Sequence, residues 1–163
     1  MYMFRDSLPR VDGKVRFLHA IPDAPNVDIY ANGKLVYSNL PFGKITDYIS
    51  VAPGTYNVKI YKTGTMDKEL FSDSADITPN SIMSVAVTRQ NDQIGYFTID
   101  DSRIPESNPL LSFIRFINLS PTAPLLSLSL PNDIVLFNQV SYLGTNNYYP
   151  ISPGIYDFIV SSS

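Results

Sequence analysis

The chain has 163 residues, a net charge of −3 from 12 Lys and Arg against 15 Asp and Glu, and no cysteine. So few cations leave no phosphate-neutralising stripe, which argues against nucleic acid or an anionic membrane surface as partner. Without thiols there are no disulfides, thiolate metal sites or cysteine nucleophile. The remaining composition, 44% hydrophobic with 11 Tyr and 9 Phe, suits a folded core of pleated strands.

Along the chain, the opening stretch Met1–Val11 holds no apolar run of signal-peptide length, and no run of about 18 apolar residues follows it. The expectation is a chain that does not insert in a membrane and carries no export signal. From residue 12 the apolar residues alternate, as in Val27 and Ile29, Tyr56, Val58 and Ile60, and Met83, Val85 and Val87. Period two means strands with one buried face, expected near 14–20, 26–31, 34–39, 44–51, 55–62, 69–77, 81–89 and 94–99. Asn32-Gly33 suits the left-handed conformations of a two-residue hairpin, and Pro53-Gly54 suits a type II turn. No segment has helical periodicity. The polar, proline-bearing stretch at 101–110 reads as a linker.

Beyond it the chain repeats itself. VRFLHAIPDAPNVDIY from Val15 falls on IRFINLSPTAPLLSLS from Ile114 at an offset of 99, and Pro53-Gly54 falls on Pro153-Gly154 at an offset of 100. Such a period suits tandem copies of a whole sandwich domain. The expected fold is all-β: two tandem immunoglobulin-like or transthyretin-like antiparallel β-sandwich units, the first complete over 12–100 and the second partial over 111–163. Counterparts of the strands at 69–77, 81–89 and 94–99 are missing from the second. They would come from a longer chain, from the first unit or from another molecule, since open edges and uncovered faces are unfavourable.

The segment FLHAIPDAPNVDIYANGKLVYSNLPFGKITDYISVAPGTYNVKIY closely resembles the start of the bacterial family called domain of unknown function 4397. That family places a His-Ala-Ser-Pro-Asp-Ala-Pro-like block before a Val-Asp-Val-Tyr strand, an Asn-Gly or Asp-Gly turn and a Pro-Gly-Thr-Tyr block. Here Ile21 stands for the usual Ser, and the second unit has Asn118 where His19 stands. The resemblance implies a β-sandwich, frequent tandem copies and an exported or surface location, with no settled activity.

His19 is the only histidine, and Asp23 and Asp28 nearby suggest a metal site or hydrolytic triad. An imidazole at a strand end entering a proline-flanked turn more often holds the loop by hydrogen bonds, a role that Asn118 can share and a general base cannot. Asp100 and Asp101 at the linker offer oxygen ligands to calcium but too few of them, so no metal or cofactor is expected. Tyr142, Tyr148 and Tyr149 are candidates for stacking on glycans or anchoring a protein partner. Tyr2 and Phe4 are candidate side chains of a donated strand. The expected function is non-catalytic: a structural or adhesive module at a cell or spore surface that associates with protein, itself included, by strand addition. A carbohydrate-binding module is the alternative and a hydrolase a weaker one.

Overall fold

The computed structural model describes residues 11–102 and 108–163. It is all-β and divides into two compact units, Met1–Ser102 and Arg103–Ser163. Unit 1 contains β1 (Gly13–His19), β2 (Val27–Ala31), β3 (Lys34–Leu40), β4 (Ile49–Val51), β5 (Gly54–Lys62), β6 (Glu69–Ile77), β7 (Ile82–Gln90) and β8 (Gln93–Asp100). Unit 2 contains β9 (Ser112–Ile114), β10 (Leu126–Leu130), β11 (Ile134–Val140), β12 (Tyr149–Ile151) and β13 (Ile159–Ser162).

In unit 1 two four-stranded sheets, ordered β4-β1-β7-β8 and β3-β2-β5-β6, face each other. The alternating apolar residues become their shared core. Val15, Phe17 and Val87 of one sheet pack with Val27, Ile29, Leu40, Ile60 and Ile77 of the other. One flank is closed where Tyr96 meets Phe71 edge to face at 5.2 Å and donates its hydroxyl to Ser74 O at 2.7 Å.

Three local expectations change. The sheets are not wholly antiparallel, because β1 runs parallel to β7 from Lys14↔Ile82 to His19↔Val87. Alternation reports a buried face and is silent on strand direction. The expected strand at 44–51 shrinks to Ile49–Val51, because Thr46 interrupts the ladder: its Oγ1 accepts from Phe17 N at 2.9 Å while its own N–H donates to Phe17 O at 2.8 Å. Pro53-Gly54 is no type II turn. Gly54, with φ 152°, already pairs with Ile77 as the first residue of β5, far from the φ near +80° such a turn needs, and Gly154 has no positive φ at all. The chain reverses differently there, pinned by the Tyr56 hydroxyl, which donates to Ala52 O at 2.6 Å; Tyr156 does the same to Ser152 O at 2.6 Å.

At Asn32-Gly33 both residues have positive φ, 49° and 77°, so the two-residue hairpin joins β2 to β3 with Ala31 opposite Lys34. In unit 2 the corresponding hairpin has three loop residues, Pro131, Asn132 and Asp133, between the paired Leu130 and Ile134. That added residue is where the offset between the units changes from 99 to 100. Downstream the pairs agree again: Val27↔Leu40 with Leu126↔Val140, Ile29↔Tyr37 with Leu128↔Phe137. The bulge recurs as well, at Asn39 (φ 56°) and Gln139 (φ 50°).

Unit 2 consists of a three-stranded sheet, β11-β10-β13, and a two-stranded one, β12-β9, which meet through Phe137 and Tyr149 at 6.2 Å. Its inner face is open. Ile60 of β5 is 1% exposed, whereas Val160, one hundred residues on in β13, is 55% exposed and Phe158 is 44% exposed.

Candidate functional site

The block around His19 is built by β1 ending against the segment that leaves β3. His19 N–H donates to Lys44 O and its carbonyl accepts from Gly43 N, so the backbone is fixed before the side chain is considered. The ring is fully buried. Nδ1 accepts from Ile21 N at 3.2 Å and Nε2 sits 3.0 Å from Pro25 O, which can only accept, so the proton is on Nε2. Phe42 covers the ring edge to face at 6.4 Å. Both nitrogens are thus committed to the loop, and neither is presented to solvent for proton transfer or metal binding. In unit 2 Asn118, 2% exposed, accepts from Ser120 N at 3.0 Å and donates to Val140 O at 3.2 Å. The amide thus makes the same bond to the N–H two residues on, while its second bond goes to the end of β11 rather than into the loop.

Asp28 lies on the outer side of β2 yet is 6% exposed, because the turn after β5 folds over it. Its carboxylate accepts from Asn39 N at 2.8 Å, Thr63 Oγ1 at 3.0 Å and Gly64 N at 3.0 Å. Burial pushes the carboxyl up, but the hydrogen bonds from Gly64, Asn39 and Thr63 outweigh it and hold it below the ordinary carboxylate value. The charge is spent on tying β3 and the turn after β5 to β2. Asp23 is likewise paired, with Arg89 at 3.1 Å.

A second polar cluster lies where unit 1 ends. Asp101 accepts from the Tyr48 hydroxyl at 2.7 Å and from the Ser84 hydroxyl. Arg16 Nε donates to Ser84 at 2.7 Å while its guanidinium lies 4.6 Å above the Tyr48 ring. Burial, reinforced by Asp101, pushes the Tyr48 phenol up. Asp100 Oδ1 accepts from Ser102 N at 2.8 Å. Among the described residues no three His, Cys, Asp or Glu gather as a metal would require.

A cavity of about 430 Å³ lies between the sheets of unit 1, at the end away from His19 and walled mostly by Val, Ile and aromatic side chains.

With this geometry in place, residues 13–129 match the family described as Domain of unknown function (DUF4397). The chain belongs to the DUF4397 family. No curated protein matches it. The matched span covers all of β1 to β9 and most of β10 in this DUF4397 chain, so the His19 loop, the Asp28 ties and the cavity all fall inside it.

Tyr148 lies under the Arg115 guanidinium at 4.5 Å, Tyr149 is 42% exposed against Phe137, and Tyr142 bridges to Asn118 through its backbone. Tyr2 and Phe4 lie outside the described residues. Sequence reasoning passed over Tyr56 and Tyr156, although the shared Pro-Gly-X-Tyr spacing marked them. It also passed over the Asp28 ties, which depend on partners 11 to 36 residues away and leave no local pattern.

Because Asn118 accepts from the N–H two residues on, as His19 does, His19→Asn is expected to keep that bond and lose the one to Pro25 O, at a cost of about 1–2 kcal/mol, and His19→Ala to cost about twice that. Urea titrations of the three proteins measure this; equal losses for Asn and Ala would mean that the hydrogen bonds do not hold the loop.

Proposed function

We propose that this DUF4397 chain is a non-catalytic surface module, structural or adhesive, that associates with protein, itself included, by adding strands to unit 2. The matching registers of the two hairpins support the tandem reading. The observation that carries the function is the open inner face of unit 2, where Phe158 and Val160 stand 44% and 55% exposed. Each large apolar side chain left in water forgoes roughly 1.5–3 kcal/mol, so a strand that covers them has a strong driving force. In unit 1 the β5 edge is taken by β6 and the β1 edge by β7; the edges of β13 and β9 are the equivalent places for added strands. The apolar Tyr2, Phe4, Leu8 and Val11 of a second copy supply candidate side chains. The committed state of His19 and Asp28 favours a role without catalysis.

Light scattering on the intact chain and on a variant lacking residues 1–11 tests the reading. Dimers or filaments that revert to monomer on deletion support it, an oligomer unchanged by deletion excludes the N-terminal donor, and an intact chain that stays monomeric as its concentration rises rejects exchange between molecules. Sugar binding on a glycan array that vanishes in Tyr149→Ala would favour the carbohydrate-binding alternative instead. Immunogold labelling of cells and spores checks the proposed surface location.

A further inference from the structure

The inner faces of unit 1 are filled unequally. Towards His19, Val27, Ile29, Ile60 and Val87 are 0–2% exposed and close the gap between the sheets. Towards the other end, Tyr56, Val58, Met83 and Val85 point into the same gap from β5 and β7 yet remain only half-buried, and the space among them amounts to about 430 Å³. Protein interiors are close-packed, and an apolar void forfeits the contacts its lining would otherwise make. A volume of this size falls within the range of about 300–1,000 Å³ typical of small-molecule sites.

Its shape and its rim narrow the chemistry. All eight strands of unit 1 contribute to the lining, so the cavity runs across the sandwich from the β3–β4 flank to the β6–β8 flank. Four strands span roughly 14 Å, which suits an extended alkyl chain better than a compact ring system. At the β6 side Asp76 is held by the Thr55 hydroxyl at 2.7 Å. At the β3 side Lys34 is exposed and forms no ion pair among the described residues, so the rim offers one uncommitted cation beside an apolar interior.

We infer that this cavity binds a free linear aliphatic carboxylate, with the chain lying between the sheets and the head group against Lys34. This site lies wholly in unit 1 and stands independently of strand uptake by unit 2.

The test is a fluorescence titration of the full chain with cis-parinaric acid, followed by displacement with dodecanoate and with dodecanol. Saturable binding of one molecule per chain is expected. Ala75→Trp, which places an indole in the cavity, should weaken it at least about tenfold, and Lys34→Glu should weaken dodecanoate by about tenfold while leaving dodecanol unchanged. Thermal melts confirm that the variants fold, and Val58→Phe replaces Ala75→Trp if that chain does not. The inference is overturned if the intact chain shows no saturable binding, if a folded cavity-filling variant binds as well as the parent, or if uptake occurs only with phosphatidylglycerol vesicles present. Equal effects of Lys34→Glu on acid and alcohol would overturn the head-group assignment.

Discussion

Replacing Ile60 with alanine is expected to destabilise unit 1 by about 2–5 kcal/mol, whereas Val160→Ala, at the matching place in β13, should cost less than about 1 kcal/mol in dilute solution. Ile60 is 1% exposed and its removal leaves a cavity that its strand-held neighbours cannot collapse into; Val160 is 55% exposed and has little packing to lose. For a unit of this size, each kcal/mol lowers the melting temperature by roughly 4–8 °C, so the first variant should show a transition lower by 10 °C or more. Thermal melts at several protein concentrations read both effects. If Val160→Ala becomes costly only at high concentration, Val160 is covered in an assembly; if it is costly at every concentration, the open face assigned to unit 2 is wrong.

The second large effect concerns Asp28. Asp28→Ala removes three part-buried hydrogen bonds, from Asn39 N, Gly64 N and the Thr63 hydroxyl, to a charged acceptor, each worth about 1.5–3 kcal/mol before water replaces it; a total loss of roughly 3 kcal/mol is expected. Acid should reproduce part of it. Because the folded carboxyl is held below its ordinary value, its contribution is fully present above the unfolded value of about 4 and is lost as the pH falls further, through the folded value. Urea midpoints of the parent should therefore drop between pH 5 and pH 2 by more than those of the alanine variant. Parallel pH profiles would show that the carboxylate is not the tie described.

How far the sequence carried depends on the range of each interaction. Strands such as Tyr56–Val58–Ile60 and Met83–Val85–Val87 were legible because alternation is local, and Asn32-Gly33 because its left-handed conformations demand those residues. Thr46 was not: a threonine is an ordinary strand residue, and only the tertiary approach of Phe17 turns its hydroxyl into a substitute ladder acceptor. The parallel partner of β1 was hidden for a similar reason, since nothing in VRFLH names a strand some 68 residues away. At the candidate site, His19 and Asn118 could be read as loop holders from the exchange of one for the other. The cavity is a property of two sheets and has no sequence signature.

The place of β1 in the middle of its sheet bears on how unit 1 comes into being during synthesis. The first strand made is flanked by β4 and by β7, one of the last. While residues 82–90 are still being translated, β1 has only its short antiparallel neighbour, Ile49–Val51, and an open edge on the other side. The hairpin of β2 and β3 with β5 and β6 forms from contacts close in sequence and is ready early, but the sheet that covers it closes only when the seventh strand leaves the ribosome. Folding of the unit is therefore gated from its C-terminal end, and a nascent chain stalled before residue 82 would present the apolar side of β1 to whatever chaperone waits at the tunnel exit.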